Sequence, residues 1–171
     1  MLKIGIDLDD CVFAFMESYL HKFGTPKHDQ EITKNVQRKL RKDKQFWENL
    51  PIINVPNFIP TLICTKRVNS KVYTKNSLKR INLDKVPIYQ LFTQTSNKAN
   101  KIKNKIDVFI DDSIFNMIQM NLSGLPCLLI DSPYNQRWGP IGRIYSLDYK
   151  EIEDAYYLFM KTIFYNFSGL L

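Results

Sequence analysis

Four aspartates carry the chain's clearest chemistry. Asp7 and Asp9 follow the apolar run that begins at Leu2, and Asp111 and Asp112 follow Val108-Phe-Ile. Both runs read as short buried strands, so each pair of acids sits just past a strand's carboxyl end. In open parallel sheets, ligands bind outside that edge. Carboxylates brought to one place from distant parts of a chain repel one another unless a cation lies between them. Mg²⁺ is a hard ion that prefers oxygen ligands and bridges carboxylates to phosphate. An acid at a strand end also commonly caps the next helix, and Asp112 taken alone reads equally well that way. Two acidic clusters on matching strand ends tip the reading towards a cation site.

The elements that must position these acids are legible from periodicity. Residues 2–7, 61–64, 87–93, 107–110 and 126–130 predict five short strands. The spacing of Phe13, Met16, Leu20 and Phe23 predicts a helix over 12–23, stopped by Gly24 and Pro26. A basic helical stretch is expected within 31–49. Further helices are expected over 70–81, near 97–104, over 114–122 (closed by Gly124) and over 149–164. The last puts Ile152, Tyr156, Phe159 and Ile163 on one face. Pro51, Pro56 and Pro60 mark one loop region, and a Pro/Gly-containing loop runs from 132 to 142. Strands alternating with helices indicate an α/β fold with a mainly parallel sheet. Residues 13–58, between the first two strands, are the candidate subdomain.

Composition bounds the rest. The 171 residues are 44% hydrophobic and 13% aromatic, enough apolar material for one domain with a real core. No run of about 18 apolar residues is present, so no membrane span is expected. The first residues do not read as a signal peptide, and a cytoplasmic setting follows. Cys11, Cys64 and Cys127 are odd in number and far apart, which argues against a disulfide framework or a zinc site. Net charge is +7, unevenly spread. Residues 66–105 carry eleven Lys or Arg and one acid, whereas residues 107–171 carry four and eight. Solvated helix faces account for much of this. The sharper reading is a field that attracts phosphorylated substrates, nucleic acid among them.

The acids belong to a larger ordered pattern. Ile-Gly-Ile-Asp7-Leu-Asp9-Asp-Cys-Val resembles the first motif of the haloacid-dehalogenase-like phosphatases, a strand followed by Asp-x-Asp. Leu-Ile-Cys-Thr65-Lys-Arg resembles their second motif, and Val-Phe-Ile-Asp111-Asp112-Ser their fourth. The motifs occur in the family's order and span residues 4–113. The resemblance implies a Rossmannoid three-layer sandwich with a small helical C1-type cap formed by residues 13–58. It implies that Asp7 attacks phosphorus and that Asp9 acts as general acid and base. Mg²⁺ would be held by the side chains of Asp7 and Asp112 and the carbonyl of Asp9, with Asp111 a neighbouring or water-mediated ligand. Thr65 would bond a phosphate oxygen, and a motif-three lysine would neutralise the transferring group. Lys98 and Lys101 both fit that place; Lys98 is favoured because Ser96-Asn97 reads as a helix start. Lys66, Arg67 and Lys101 join the expected substrate-binding set. Two positions depart from the pattern, with Asp10 where glycine is common and Cys11 where Thr or Val is usual. Cys11 reads as a filler of apolar space rather than a nucleophile, and Asp10 as an acid that adds negative charge by the metal or simply points outward.

The short cap, together with Phe46-Trp47-Glu-Asn-Leu50-Pro51 and Leu129-Ile130-Asp-Ser-Pro133-Tyr134-Asn135, is similar to the 5′(3′)-deoxyribonucleotidase group. That similarity implies a nucleoside monophosphate as substrate. Phe13, Phe15, Phe46 and Trp47 are candidates to stack on a base, though ordinary burial is the better reading for any one of them. A second reading is a phosphatase acting on polynucleotide 3′ ends or another large phosphorylated partner, favoured by the basic excess and by Lys34, Arg38, Lys39, Arg41 and Lys42. A third is a non-catalytic binding module on the same fold.

Overall fold

Short apolar runs become strands because a parallel sheet buries both of its faces and so needs no polar alternation. The computed structural model describes residues 1–27, 29–91 and 97–168. Its strands are β1 (Ile4–Ile6), β2 (Leu62–Thr65), β3 (Ile88–Gln90), β4 (Val108–Asp111), β5 (Cys127–Ile130) and β6 (Arg143–Ile144). Its helices are α1 (Phe15–Phe23), α2 (Asp29–Asn35), α3 (Lys44–Glu48), α4 (Lys71–Lys79), α5 (Ala99–Ile102), α6 (Ile114–Leu122) and α7 (Tyr149–Ser168). The strands form one sheet in the order β3-β2-β1-β4-β5-β6, parallel at every pairing.

Alternation along each strand divides the core in two. Ile4, Ile6, Ile63, Val108, Ile110 and Ile130 face one side, covered by Leu78 of α4, Ile152 of α7 and apolar residues that follow β1. Leu62, Cys64, Phe109, Cys127 and Leu129 face the other, covered by Ala99 and Ile102 of α5 and Met117 and Met120 of α6. The result is a three-layer Rossmannoid sandwich. Among the described residues no helix is long and apolar enough to cross a membrane.

Gly5, at the middle of β1, is a packing requirement. A Cβ there would lie 2.7 Å from Ile106 Cδ1 and 2.8 Å from a Phe109 ring carbon. Overpacking a filled core costs about 1–3 kcal/mol. Gly5→Ala is therefore expected to lower unfolding free energy by that amount in a denaturant titration. An unchanged midpoint would show that Ile106 and Phe109 can move aside.

Several boundaries differ from the periodicity reading. The first helix begins at Phe15 rather than residue 12, because the amides of Val12 and Phe13 both bond back to the Leu8 carbonyl and form a tight turn. The basic stretch within 31–49 divides: α2 runs into a π-helical turn at Val36–Leu40, and α3 restarts where Asp43 accepts a bond from the Phe46 amide. Residues 92 and 93 of the expected third strand, Ser96, and the side chain of Ile163 lie outside the described residues. Asn97 caps α5, its Oδ1 accepting from the Ala99 amide at 2.8 Å. β6 is the strand that periodicity missed, since two residues carry no period. Arg143 begins it and does not reach towards the acids. Its guanidinium donates to Asp131 and to the carbonyls of Asn135 and Trp138, pinning the 131–138 loop on the sheet edge.

Candidate active site

The strand order reverses at β1, with β2 and β3 on one side and β4 to β6 on the other. This switch point is where the loops that follow neighbouring strands part and leave a crevice. Ile6 pairs with Ile110, so Asp7 stands beside Asp111, and the Asp7 amide donates to the Ile110 carbonyl at 2.9 Å. Oxygens of Asp7, Asp111 and Asp112 lie within 4.8 Å of one another. A cavity of about 440 Å³ opens over this edge. Its wall includes Asp7, Asp9, Thr65, Lys98 and Asp112, with Phe15, Trp47, Lys66 and Arg67 around them. The sheet thus brings together residues spread over a hundred positions of sequence.

Lys98, just before α5, is 1% exposed. Its Nζ lies 2.6 Å from Asp7 Oδ2 and 2.7 Å from Asp111 Oδ2. Burial alone would disfavour its charge, but Asp111 and Asp7 outweigh that and hold its pKa well above the ordinary lysine value. Lys101, three positions on, is exposed and lines no part of the cavity. Three residues are less than a full turn, so its side chain leaves the helix in a different direction, off this wall.

Asp111 is engaged differently from the expected role beside a metal. It accepts from the Ser113 amide at 2.9 Å, from Asn116 Nδ2 at 3.0 Å and from Lys98. With both oxygens taken by protein donors, it reads as the group that fixes Lys98. Asp112 is the reverse case. Ser113, not Asp112, caps α6 by accepting from the Asn116 amide, and no described residue donates to the Asp112 carboxylate. Burial, reinforced by Asp111 and Asp7, pushes the Asp112 carboxyl well above its usual range. Burial also raises the Asp7 carboxyl to about 6, against the pull of Lys98 and with the help of Asp111. Two carboxylates short of countercharge on one wall fit a hard divalent cation, which would relieve both.

Asp9 is held from behind. Arg67 Nε and Nη2 donate to Asp9 Oδ1 at 2.9 and 2.6 Å. The guanidinium is 1% exposed and lies 5.1 Å from the Phe13 ring centroid and 5.3 Å from that of Trp47. Arg67, expected to hold substrate, lines the cavity; two of its nitrogens orient Asp9, and Nη1 has no partner among the described residues. Trp47 was expected to stack on a base, but its ring is 1% exposed, stacked on Phe15 at 5.6 Å and donating from Nε1 to the Leu40 carbonyl. Phe13 is fully buried and Phe46 lies off this cavity. Phe15, partly exposed, and Phe115, an exposed residue of α6, are the aromatics that the cavity presents besides Trp47. Lys66 donates to Asn116 Oδ1 at 3.0 Å from the same wall.

No family model matches this chain, and no curated protein matches it. Among solved structures, a hydrolase of the haloacid dehalogenase-like family from Streptococcus pneumoniae is similar at 13% identity, over 91% of this chain and 90% of that one, with a TM-score of 0.49.

Both departures noted in the first motif have local explanations. Asp10 has φ of 57°, the left-handed region that Asp tolerates better than most residues. Its carboxylate turns inward, not outward, and accepts from the Met16 amide at 2.9 Å, capping α1. Burial raises this carboxyl to about 7, against that bond. Cys11 is fully buried, and burial pushes its thiol well above the ordinary value, so it is not an activated nucleophile. One neighbour of the site escaped the sequence reading: Asn116 links Asp111 to Lys66 and has no sequence signal beyond being polar near a strand end. Asn135, the last residue of the 129–135 stretch, gains a structural role, its Nδ2 donating to the carbonyls of Asp112 and Ile130 at 2.8 Å.

Among the described residues, four buried side-chain atoms lack a hydrogen-bond partner: Asp7 Oδ1, Thr65 Oγ1, Arg67 Nη1 and Asn69 Nδ2. Buried polar groups are nearly always paired, so a cluster of unspent groups at one sheet edge is suited to bonding a ligand.

Proposed function

We propose that this chain is a Mg²⁺-dependent, haloacid-dehalogenase-like phosphomonoester hydrolase, with a nucleoside monophosphate as its substrate. One observation carries the reading. Asp7 Oδ1 and Thr65 Oγ1, both buried and both without partners, belong to the wall that also holds Lys98. A nucleophilic oxygen, a hydroxyl donor and a cation are the groups that phosphoryl transfer uses.

On this reading Asp7 attacks phosphorus, the ester P–O bond breaks, and the leaving alkoxide takes a proton from Asp9. Asp9 then takes a proton from water, which attacks the aspartyl-phosphate and frees phosphate and Asp7. Arg67 holds Asp9 Oδ1 through this cycle and leaves Oδ2 without a partner among the described residues. Lys98 balances the charge on Asp7 and the transferring group. Mg²⁺ bound by Asp7 and Asp112 would supply further charge neutralisation. Residues 13–58 would act as the cap, with Phe15 facing the substrate. The chain is assigned to the cytosol, where its three free, buried cysteines stay reduced.

The test is phosphate release from a panel of nucleoside monophosphates and an aryl phosphate, with Mg²⁺ and with chelator. Release that requires Mg²⁺ supports the reading. A folded protein that binds Mg²⁺ but turns over none of the panel would favour a binding module instead. Thr65→Ala removes one preorganised donor and is expected to lower kcat by about 100-fold. A rise in KM alone, with kcat intact, would mean that Thr65 binds substrate and transition state equally and does not favour the transition state.

A further inference from the structure

A second cavity, of about 300 Å³, lies beside the first. Val68 lines both, and the same two chain segments wall both. One segment gives Val36 to the first cavity and Arg41 and Lys42 to the second. The other gives Thr65, Lys66 and Arg67 to the first and Asn69, Ser70 and Lys71 to the second. None of the described residues lining the second cavity is acidic. Arg41, Lys42 and Lys71 are exposed, and none of them forms an ion pair with a described residue.

The cavity sits at the amino end of α4, capped by Ser70, where peptide dipoles leave partial positive charge. A helix end and surface cations do not define a site by themselves. Asn69 supplies the independent observation. It is 2% exposed, and its Oδ1 accepts from Thr74 Oγ1 at 3.1 Å and from Gln90 Nε2 at 3.0 Å. Gln90 Nε2, itself held by the carbonyls of Arg67 and Asn69, sets the oxygen end of the amide towards it. The remaining end, Nδ2, is a buried donor with nothing to donate to, in a residue that lines this cavity. One unspent buried donor, three cations and a helix amino terminus together suit an oxyanion.

We propose that the second cavity binds a second phosphate of the same substrate molecule whose first phosphate is hydrolysed in the adjoining cavity. The inference rests on the phosphatase reading and replaces its nucleoside monophosphate with a substrate that carries a second phosphate. The substrate would carry two phosphate groups: a nucleoside bisphosphate, or an end-phosphorylated oligonucleotide whose next phosphate is a diester. Both present the same chemistry to Arg41, Lys42, Asn69 and Lys71.

The test compares kcat/KM for nucleoside 3′- and 5′-monophosphates, the 3′,5′-bisphosphate, and tetranucleotides phosphorylated at either end. It uses the full chain with Mg²⁺, as wild type and as R41A/K42A, with thermal melting to check the fold. Wild type is expected to favour a doubly phosphorylated substrate over the monophosphates by roughly 10- to 100-fold, as charge-assisted bonds allow. That ratio should fall close to one in R41A/K42A. Preference for the tetranucleotide, with steep salt dependence, would identify the diester as occupant; preference for the bisphosphate would identify a free second phosphate. Equal kcat/KM across the substrates, or a preference that survives the double substitution, overturns the proposal. If wild type releases phosphate from none of them, the hydrolase reading is what fails. Calorimetric binding of the bisphosphate and monophosphates then decides the second site alone. Tighter bisphosphate binding that R41A/K42A abolishes supports it, and equal binding refutes it.

Discussion

Asp7→Asn is expected to lower Mg²⁺-dependent phosphate release by about 10⁴-fold or more, the scale seen when a catalytic nucleophile is removed. That corresponds to about 5 kcal/mol of transition-state stabilisation. The amide matches the carboxylate in shape but offers no anionic oxygen to attack phosphorus. It also removes one countercharge from Lys98, which keeps Asp111 at 2.7 Å. The fold should survive. Burial raises the Asp7 carboxyl to about 6 in the folded chain, so its ionised form is disfavoured there as pH climbs from its ordinary value through that point. A raised acid pKa means the unfolded chain ionises more readily, so above that window Asp7 subtracts from stability. Without metal, Asp7→Asn should therefore melt no lower than wild type at pH 7.5. Single-turnover phosphate release and a thermal melt check the two halves. Wild-type turnover in the variant would remove Asp7 from the nucleophile's place. Lost turnover with a collapsed melting point would instead make the residue structural.

Lys98→Met should be the most destabilising of the substitutions considered. Its ammonium is buried between Asp7 and Asp111, and Asp111 is fully buried. Removing one member of a buried ionic group costs about 3–5 kcal/mol, because the charges left behind are buried without their countercharge. For a chain of this length each 1 kcal/mol shifts the melting point by about 2–4 °C. The loss is thus a drop on the order of 10 °C. Two conditions should restore part of it. Lower pH protonates the orphaned carboxyls, so the deficit shrinks as pH falls. Added Mg²⁺ should do the same at neutral pH if these acids hold it, since a ligand of the folded state stabilises by mass action. Denaturant unfolding at two pH values, with Mg²⁺ and with chelator, separates the terms. A variant as stable as wild type under all four conditions would show that Lys98 does not balance the acids.

The strand ends were readable in the sequence for a physical reason. Strands buried on both faces are contiguous apolar runs, and the first polar residue after each run marks the sheet's carboxyl edge. Asp7, Thr65 and Asp111-Asp112 declare themselves in this way, and parallel pairing places them on one edge. A sheet of alternating strands and helices followed from the same runs. β6 was not legible, because two residues cannot show a period, and α1 started late because Leu8 accepts two amides that a helix would have used elsewhere.

Partner choice among like-charged residues was beyond the sequence. Lys98 and Lys101 differ by less than a turn of helix, yet burial closes over one and leaves the other in solvent. Asp111 and Asp112 are neighbours in sequence, but only Asp111 meets Lys98, Ser113 and Asn116. Arg67 and Trp47 both line the cavity, and packing also makes Arg67, with Trp47 against it, the backing of Asp9. The sequence by itself determined which residues reach the carboxyl edge of the sheet, because that is written in local runs. Only the tertiary structure decided which of them pair and which are left with unspent bonds, because pairing depends on burial by side chains dozens of residues away.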